Sequence, residues 1–103
     1  MNRENTYISY ITGEIYKTLV LREKSDKGEE VFLDEYIKNL YVEINGAYYW
    51  SEYLKNSKNF AAVTSIIAYI SENDIEYSHF RREIFKMLGL LNKISKELGG
   101  DVK

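Results

Sequence analysis

The sequence has no cysteine, no proline and a single histidine, and these absences remove whole classes of chemistry. Without cysteine there can be no disulfide, no thiolate zinc site and no cysteine nucleophile; the composition suits a reducing compartment, and a cytoplasmic location is expected. His79 has no second histidine and no cysteine to share a zinc ion with, and no serine or cysteine motif marks it as half of a nucleophile pair. It is expected to be a solvated surface residue at the start of the last helix. Phosphate-cradling patterns of the G-x-x-x-x-G-K-[ST] or G-x-G-x-x-G kind are missing, because the six glycines are scattered apart from the pair Gly99-Gly100.

Carboxylates do gather, in Asp26/Glu29/Glu30, Asp34/Glu35 and Glu72/Asp74/Glu76, but none has the spacing of a calcium loop. A loop tip, a helix N-terminus and an interhelical turn explain them by ordinary solvation and by the helix dipole. No metal, no cofactor and no catalytic residue is therefore expected. The longest uncharged run is residues 59–71, well short of the ~20 residues that span a bilayer. The N-terminal MNRENTYISYITGE lacks an apolar stretch ahead of a small-residue cleavage site, so neither membrane insertion nor secretion is expected.

What is present is an uncharged segment, NFAAVTSIIAYIS (59–71), in a chain of which 29% is charged. At about 100° per residue Val63, Ile66, Ile67 and Ile70 share a side with Phe60 at its edge, and Ala61, Thr64, Ser65 and Ala68 form a small-residue side opposite. Both sides can be packed, which predicts a helix over 58–71 at the buried centre of the fold. A second helix is predicted over 78–98, capped by Ser78, with Phe80, Ile84, Met87, Leu88, Leu91, Ile94 and Leu98 on one face and Gly99-Gly100 beyond it. The polar turn around Asn73-Asp74 joins the two as a helical hairpin.

Upstream, Asp34 is placed to cap a helix carrying Ile37, Leu40, Tyr41 and Ile44 on one face and ended by Asn45-Gly46, with a shorter helix over 47–55 after it. Residues 5–33 read two ways. Ile8, Ile11, Ile15 and Leu19 fit a helical face, whereas IYKTLVL (15–21) and EVFL (30–33) are rich in strand formers around the polar Lys24–Gly28 loop. Gly13 counts against helix, and the balance favours a β-hairpin over 14–33. The expected fold is thus mainly α within the α+β class: one helix-rich domain, residues 1–103, with a C-terminal helical hairpin and an N-terminal β-hairpin.

Two features point toward partners. Tyr36, Tyr41, Tyr48, Tyr49, Trp50 and Tyr53 crowd a short stretch, and rings of this kind concentrate at interfaces because they bury area yet tolerate water. Tyr48-Tyr49-Trp50 spread over about 200° of a helix, so at least one must leave the core or meet another chain. Tyr48, Tyr49, Trp50 and Tyr53 are the candidate protein-binding residues. On the last helix Arg82, Lys86 and Lys93 form a basic stripe, diluted by Glu83 and Glu97, which is the candidate nucleic-acid contact.

Residues 1–54 hold six Lys and Arg against ten Asp and Glu, and residues 55–103 hold eight against six, for a net charge of −2. That balance counts against phosphate binding. Tyr, Ile, Lys and Asn, all with AT-rich codons, supply 39 of the 103 residues, which suggests a low-GC bacterium or its phage or plasmid. The expected function is a small intracellular regulator or inhibitor that binds a protein, alone or as a homodimer, encoded by a phage or mobile element and acting against a host or defence process. The alternative is a nucleic-acid-binding regulator using the basic stripe.

Overall fold

The computed structural model describes residues 2–99 and is helical throughout, with no strand among the described residues. α1 runs Arg3–Asp26, α2 Leu33–Trp50, the short α3 Glu52–Lys55, α4 Lys58–Glu72 and α5 Tyr77–Glu97. The long helices close a bundle in which α1 packs on α2 and α5, and α4 packs on the same two. Each runs antiparallel to its neighbours. Arg3 meets Trp50, Arg22 meets Ile75, and Asn59 meets Glu97, so starts of helices lie against ends. At about 1.5 Å per residue the 24 residues of α1 span about 36 Å, nearly the full 40 Å of the molecule.

The expected β-hairpin over 14–33 is absent. α1 buries Ile8, Ile11, Ile15 and Thr18 at helical spacing, while strand-favouring Tyr16 and Val20 sit on its half-exposed side and contribute little that a strand would have used. The hydroxyls of Thr12 and Thr18 are absorbed by the helix itself, donating to Ile8 O (2.7 Å) and Ile15 O (2.6 Å). Asn2 caps the start, its Oδ1 accepting from Asn5 N at 2.7 Å. At the other end Gly28 has φ 92°, its N–H donates to Ser25 O and the Glu29 N–H to Lys24 O, both at 3.0 Å. This is a Schellman stop, so the loop read as a hairpin tip is a helix C-terminus.

α2 passes straight through Asn45-Gly46, which the sequence marks as a stop, and ends at Trp50. Asn45 Nδ2 donates to Tyr41 O at 3.1 Å, and Ala47, one residue past the glycine, is fully buried. Packing of the last turn against α1 and α4 outweighs the propensity cost of one glycine. The expected 47–55 helix is accordingly the end of α2 plus α3, broken at Ser51, whose Oγ caps α3 by accepting from Leu54 N. Asp34 lies inside the first turn of α2 rather than capping it. The cap position is Phe32, in the left-handed region at φ 50° and without a side-chain bond.

α4 and α5 form the helical hairpin at nearly the predicted limits. Glu76, not Ser78, is the cap position of α5, and Ser78 Oγ donates to Glu76 Oε1. Gly99, at φ 78°, ends α5, and Gly100 lies outside the described residues. α4 is a wall of the bundle and not its centre: Phe60, Val63, Ile67 and Ile70 are buried, Thr64 meets α2, but Ala61 and Ser65 face outward. The core lies between all four long helices, from Ile8 and Ile11 through Ile44 and Ile67 to Met87 and Leu91. Every buried side-chain polar atom among the described residues has a partner.

Candidate functional site

The four candidate rings are divided by helical geometry among different surfaces. Tyr48 turns toward α4, its ring 5.3 Å from Phe60 and its hydroxyl 2.8 Å from Thr64 Oγ1. Tyr49 points away from the bundle and is 93% exposed. Trp50 turns toward α1, where its ring meets Tyr7 edge-on at 5.2 Å and 85°. Tyr53 lies on α3 and donates to Glu97 Oε1 at 2.8 Å, tying α3 to the end of α5. Tyr48 is therefore a packing residue, Tyr53 a partly exposed brace, and only Tyr49 and Trp50 offer free ring surface close together at the C-terminal end of α2.

Around Trp50 the first turns of α1 complete an open apolar depression of about 510 Å³, lined by Arg3, Thr6, Tyr7, Tyr10 and Trp50. The guanidinium carbon of Arg3 sits 4.9 Å from the Trp50 ring centroid, and Arg3 Nη2 donates to Trp50 O at 2.6 Å. Such a cation–π contact at the surface is worth about 0.5–1 kcal/mol. Tyr7 donates to Glu43 O and Tyr10 to Glu43 Oε1, each at 3.2 Å. Ser51, buried beside Trp50, donates to Glu4 Oε2 at 2.9 Å and so ties the end of α2 to the first turn of α1.

One turn further along, Tyr36 bonds the Glu14 side chain, and Lys17 lies 5.6 Å from the Tyr36 ring centroid. The phenols of this face are all held protonated. Burial, then the Glu43 charge, raises Tyr7; burial, then the bond to Glu14, raises Tyr36; desolvation, then the bond to Glu43, raises Tyr10. Tyr53 is pushed up to about 12, by burial first and the Glu97 bond second. At neutral pH these groups are hydrogen-bond donors with occupied acceptors. None is poised to take a proton.

The basic stripe is present as an exposed face of α5, but its members differ. Lys86 pairs with Glu83 Oε2 at 3.3 Å, whereas Arg82 and Lys93 have no partner among the described residues. Those two are about 16 Å apart along the helix, from eleven residues at about 1.5 Å each. His79 keeps 34% of its side chain exposed at the surface but also has neighbours. It is half-buried, with Nε2 3.6 Å from Glu83 and its ring 5.7 Å from that of Tyr69. Phe85, off the main apolar face, meets Tyr16 of α1 edge-on at 6.5 Å.

A second concavity, about 480 Å³, opens at the opposite end of the bundle beside Phe32, with Arg22 crossing it to bond Asp26 and Ile75 O. Among the described residues no three His, Asp or Glu side chains converge to hold a metal ion. Also among them, no helix is long and apolar enough to cross a membrane. The chain matches no known protein family, no curated protein and no solved structure, so function has to be read from the chemistry of these surfaces.

The depression draws its lining from α1 as well as α2, and the residues Arg3, Tyr7 and Tyr10 were not among the sequence candidates. Their signal was the i, i+4 and i, i+3 spacing of Arg3, Tyr7 and Tyr10, which places them on one side only if the segment is a helix.

Proposed function

We propose that the domain is a protein-binding regulator or inhibitor that engages its partner with the end of the bundle built by the start of α1 and the end of α2. The observation that carries this is the pairing of Tyr49, 93% exposed, with the open aromatic depression at Trp50. Aromatic anchors beside an apolar concavity, ringed by polar groups, are the usual composition of an interface centre. The protonated, hydrogen-bonded phenols around it suit recognition rather than proton transfer. Acidic residues of α1 and α2 would contribute orientation and association rate. The composition, weighted to AT-rich codons, fits an origin in a phage or mobile element of a low-GC bacterium acting within its host's cytoplasm.

The test is affinity capture from a low-GC bacterial lysate with and without nuclease, using wild type and Tyr49→Ala. A nuclease-resistant partner that is lost with Tyr49→Ala, at unchanged helix content, is the expected result. Capture that is indifferent to Tyr49 would refute the assignment of this surface.

The second reading, contact with a nucleic acid through Arg82, Lys86 and Lys93, is favoured by the solvent-facing positions of Arg82 and Lys93, which have no partner among the described residues. Its weakness is quantitative. Two such cations give a log–log salt slope of only about −2, against about −5 to −9 for a protein making 6–10 phosphate contacts. A steep loss of binding with salt, removed by Arg82→Ala and Lys93→Ala together, would put it first.

A further inference from the structure

The depression at Trp50 has a composition that specifies more than "apolar". Its floor is made of Tyr7, Tyr10 and Trp50, and these rings are held in place before anything binds. Tyr7 and Tyr10 are both tethered to Glu43, and Trp50 stands against Tyr7 at 85°. Among the described residues Arg3 is the one charged residue in the lining. The Glu43 carboxylate is turned to the Tyr10 hydroxyl, and Glu4 is bonded to Ser51 Oγ. An apolar surface with one convergent charged group shares the composition, though not the depth, of ligand sites.

Arg3 also decides the sign of what enters. It has spent one N–H on Trp50 O, and its other donors have no partner among the described residues. A guanidinium fork with unspent donors suits a carboxylate, to which it can give two parallel bonds. A cationic ligand is the wrong match, because Arg3 already lies over the Trp50 face and would repel it. The spacing narrows the choice further. The guanidinium carbon lies only 4.9 Å from the ring centroid, so a ligand that carries its carboxylate and its apolar group on one carbon can meet both. An acidic side chain on the neighbouring residue starts a further ~3.8 Å away along the chain. An apolar residue at a chain end carries both groups on one Cα.

We propose that this depression is a binding site for the C-terminal apolar residue of a partner protein, its side chain on the Tyr7/Tyr10/Trp50 floor and its α-carboxylate on Arg3. The inference rests on the protein-binding reading above and gives that interface its chemistry.

The test uses the chain's sole tryptophan, whose indole N–H gives a single resonance in a ¹⁵N-labelled sample. The probes are N-acetyl-leucine, which has the carboxylate, and N-acetyl-leucinamide, which lacks it. The acid is expected to shift the Trp50 signal saturably and to bind about tenfold more tightly than the amide, the worth of one charge-assisted pair. Arg3→Gln should reduce the acid to the level of the amide. Tyr10→Ala, which removes a half-exposed ring and leaves the core intact, should weaken both.

Equal binding of acid and amide to the wild type, acid binding unchanged by Arg3→Gln, or a Trp50 resonance that neither probe moves would each overturn the proposal. The capture experiment separates the two claims. A partner lost with Tyr49→Ala but retained with Arg3→Gln leaves protein binding standing and overturns this site as its anchor. A carboxylate preference with no protein captured overturns the protein-binding reading and leaves the site's chemistry in place.

Discussion

Gly46 offers a measurement whose sign separates two descriptions of α2. In the structure it lies inside a continuous helix, and a Cβ built there meets nothing within 4 Å. Gly46→Ala then removes the backbone-entropy cost of glycine in a helix, about 0.8–1.0 kcal/mol, without any steric penalty. If Asn45-Gly46 instead ended the helix as the sequence suggests, Gly46 would take a left-handed conformation and alanine there would destabilise by about 1 kcal/mol or more. The two outcomes differ by about 2 kcal/mol, several times the error of a urea titration. For a domain near this size, the gain of about 1 kcal/mol raises Tm by roughly 4–8 °C. The assay is urea unfolding followed both by circular dichroism and by Trp50 fluorescence, since Trp50 reports the turn beyond the glycine. A lowered midpoint at unchanged m would refute the continuous helix, and with it the placement of Tyr49 and Trp50 on which the candidate site depends.

Three further outcomes are expected. Tyr49→Ala should change stability by less than about 0.5 kcal/mol, because its ring is 93% exposed, whereas Tyr48→Ala should be clearly destabilising through loss of the Phe60 and Thr64 contacts; equal effects in urea titrations would contradict the orientation of α2. Ile15→Ala, at a fully buried position of α1, should cost about 2–5 kcal/mol, read from the same titrations; a near-neutral effect would remove Ile15 from the core. The contribution of Tyr7, Tyr36 and Tyr53 to stability should be constant up to about pH 10 and then fall as pH rises toward 12, because their folded-state pKa values are raised and the unfolded chain loses those protons first. Urea midpoints across that range, with tyrosinate absorbance alongside, check the sign, and a midpoint that rises above about pH 10 would contradict it.

The C-terminal helices were legible because one signal sufficed. Phe80, Ile84, Met87, Leu91 and Ile94 repeat at helical spacing with no competing pattern, and the structure buries all five. In residues 3–26 two signals competed, and the local one misled. Strand formers such as Tyr16 and Val20 carry weight only where a sheet gives them neighbours, and here they stand half-exposed on a helix whose other side buries Ile8, Ile11, Ile15 and Thr18. A better clue was Gly28. Read with the basic Lys24 and Lys27 before it, it is a helix C-terminus as readily as a hairpin loop. At Asn45-Gly46 the reverse happened, and a true local stop signal was overridden by burial of Ala47 and Leu40 on either side.

The candidate site shows how an error of secondary structure becomes an error of chemistry. Concentration of rings in sequence drew attention to residues 48–53, yet a helix separates consecutive residues by about 100°, so that Tyr48, Tyr49 and Trp50 look at α4, at solvent and at α1 in turn. What Trp50 faces is therefore decided by a segment 40 residues away in the chain. Had the chain before residue 14 not been helical, Arg3, Tyr7 and Tyr10 would not have shared one side of an element facing Glu43 and Trp50. Because Asn2 starts a helix that runs the length of the bundle, Arg3, Tyr7 and Tyr10 fall on one side of it and meet the last turn of α2. The aromatic floor and its single guanidinium thus follow from one fact, the helicity of α1, and any variant that frays its first two turns should abolish probe binding at Trp50 while leaving the α4–α5 hairpin folded.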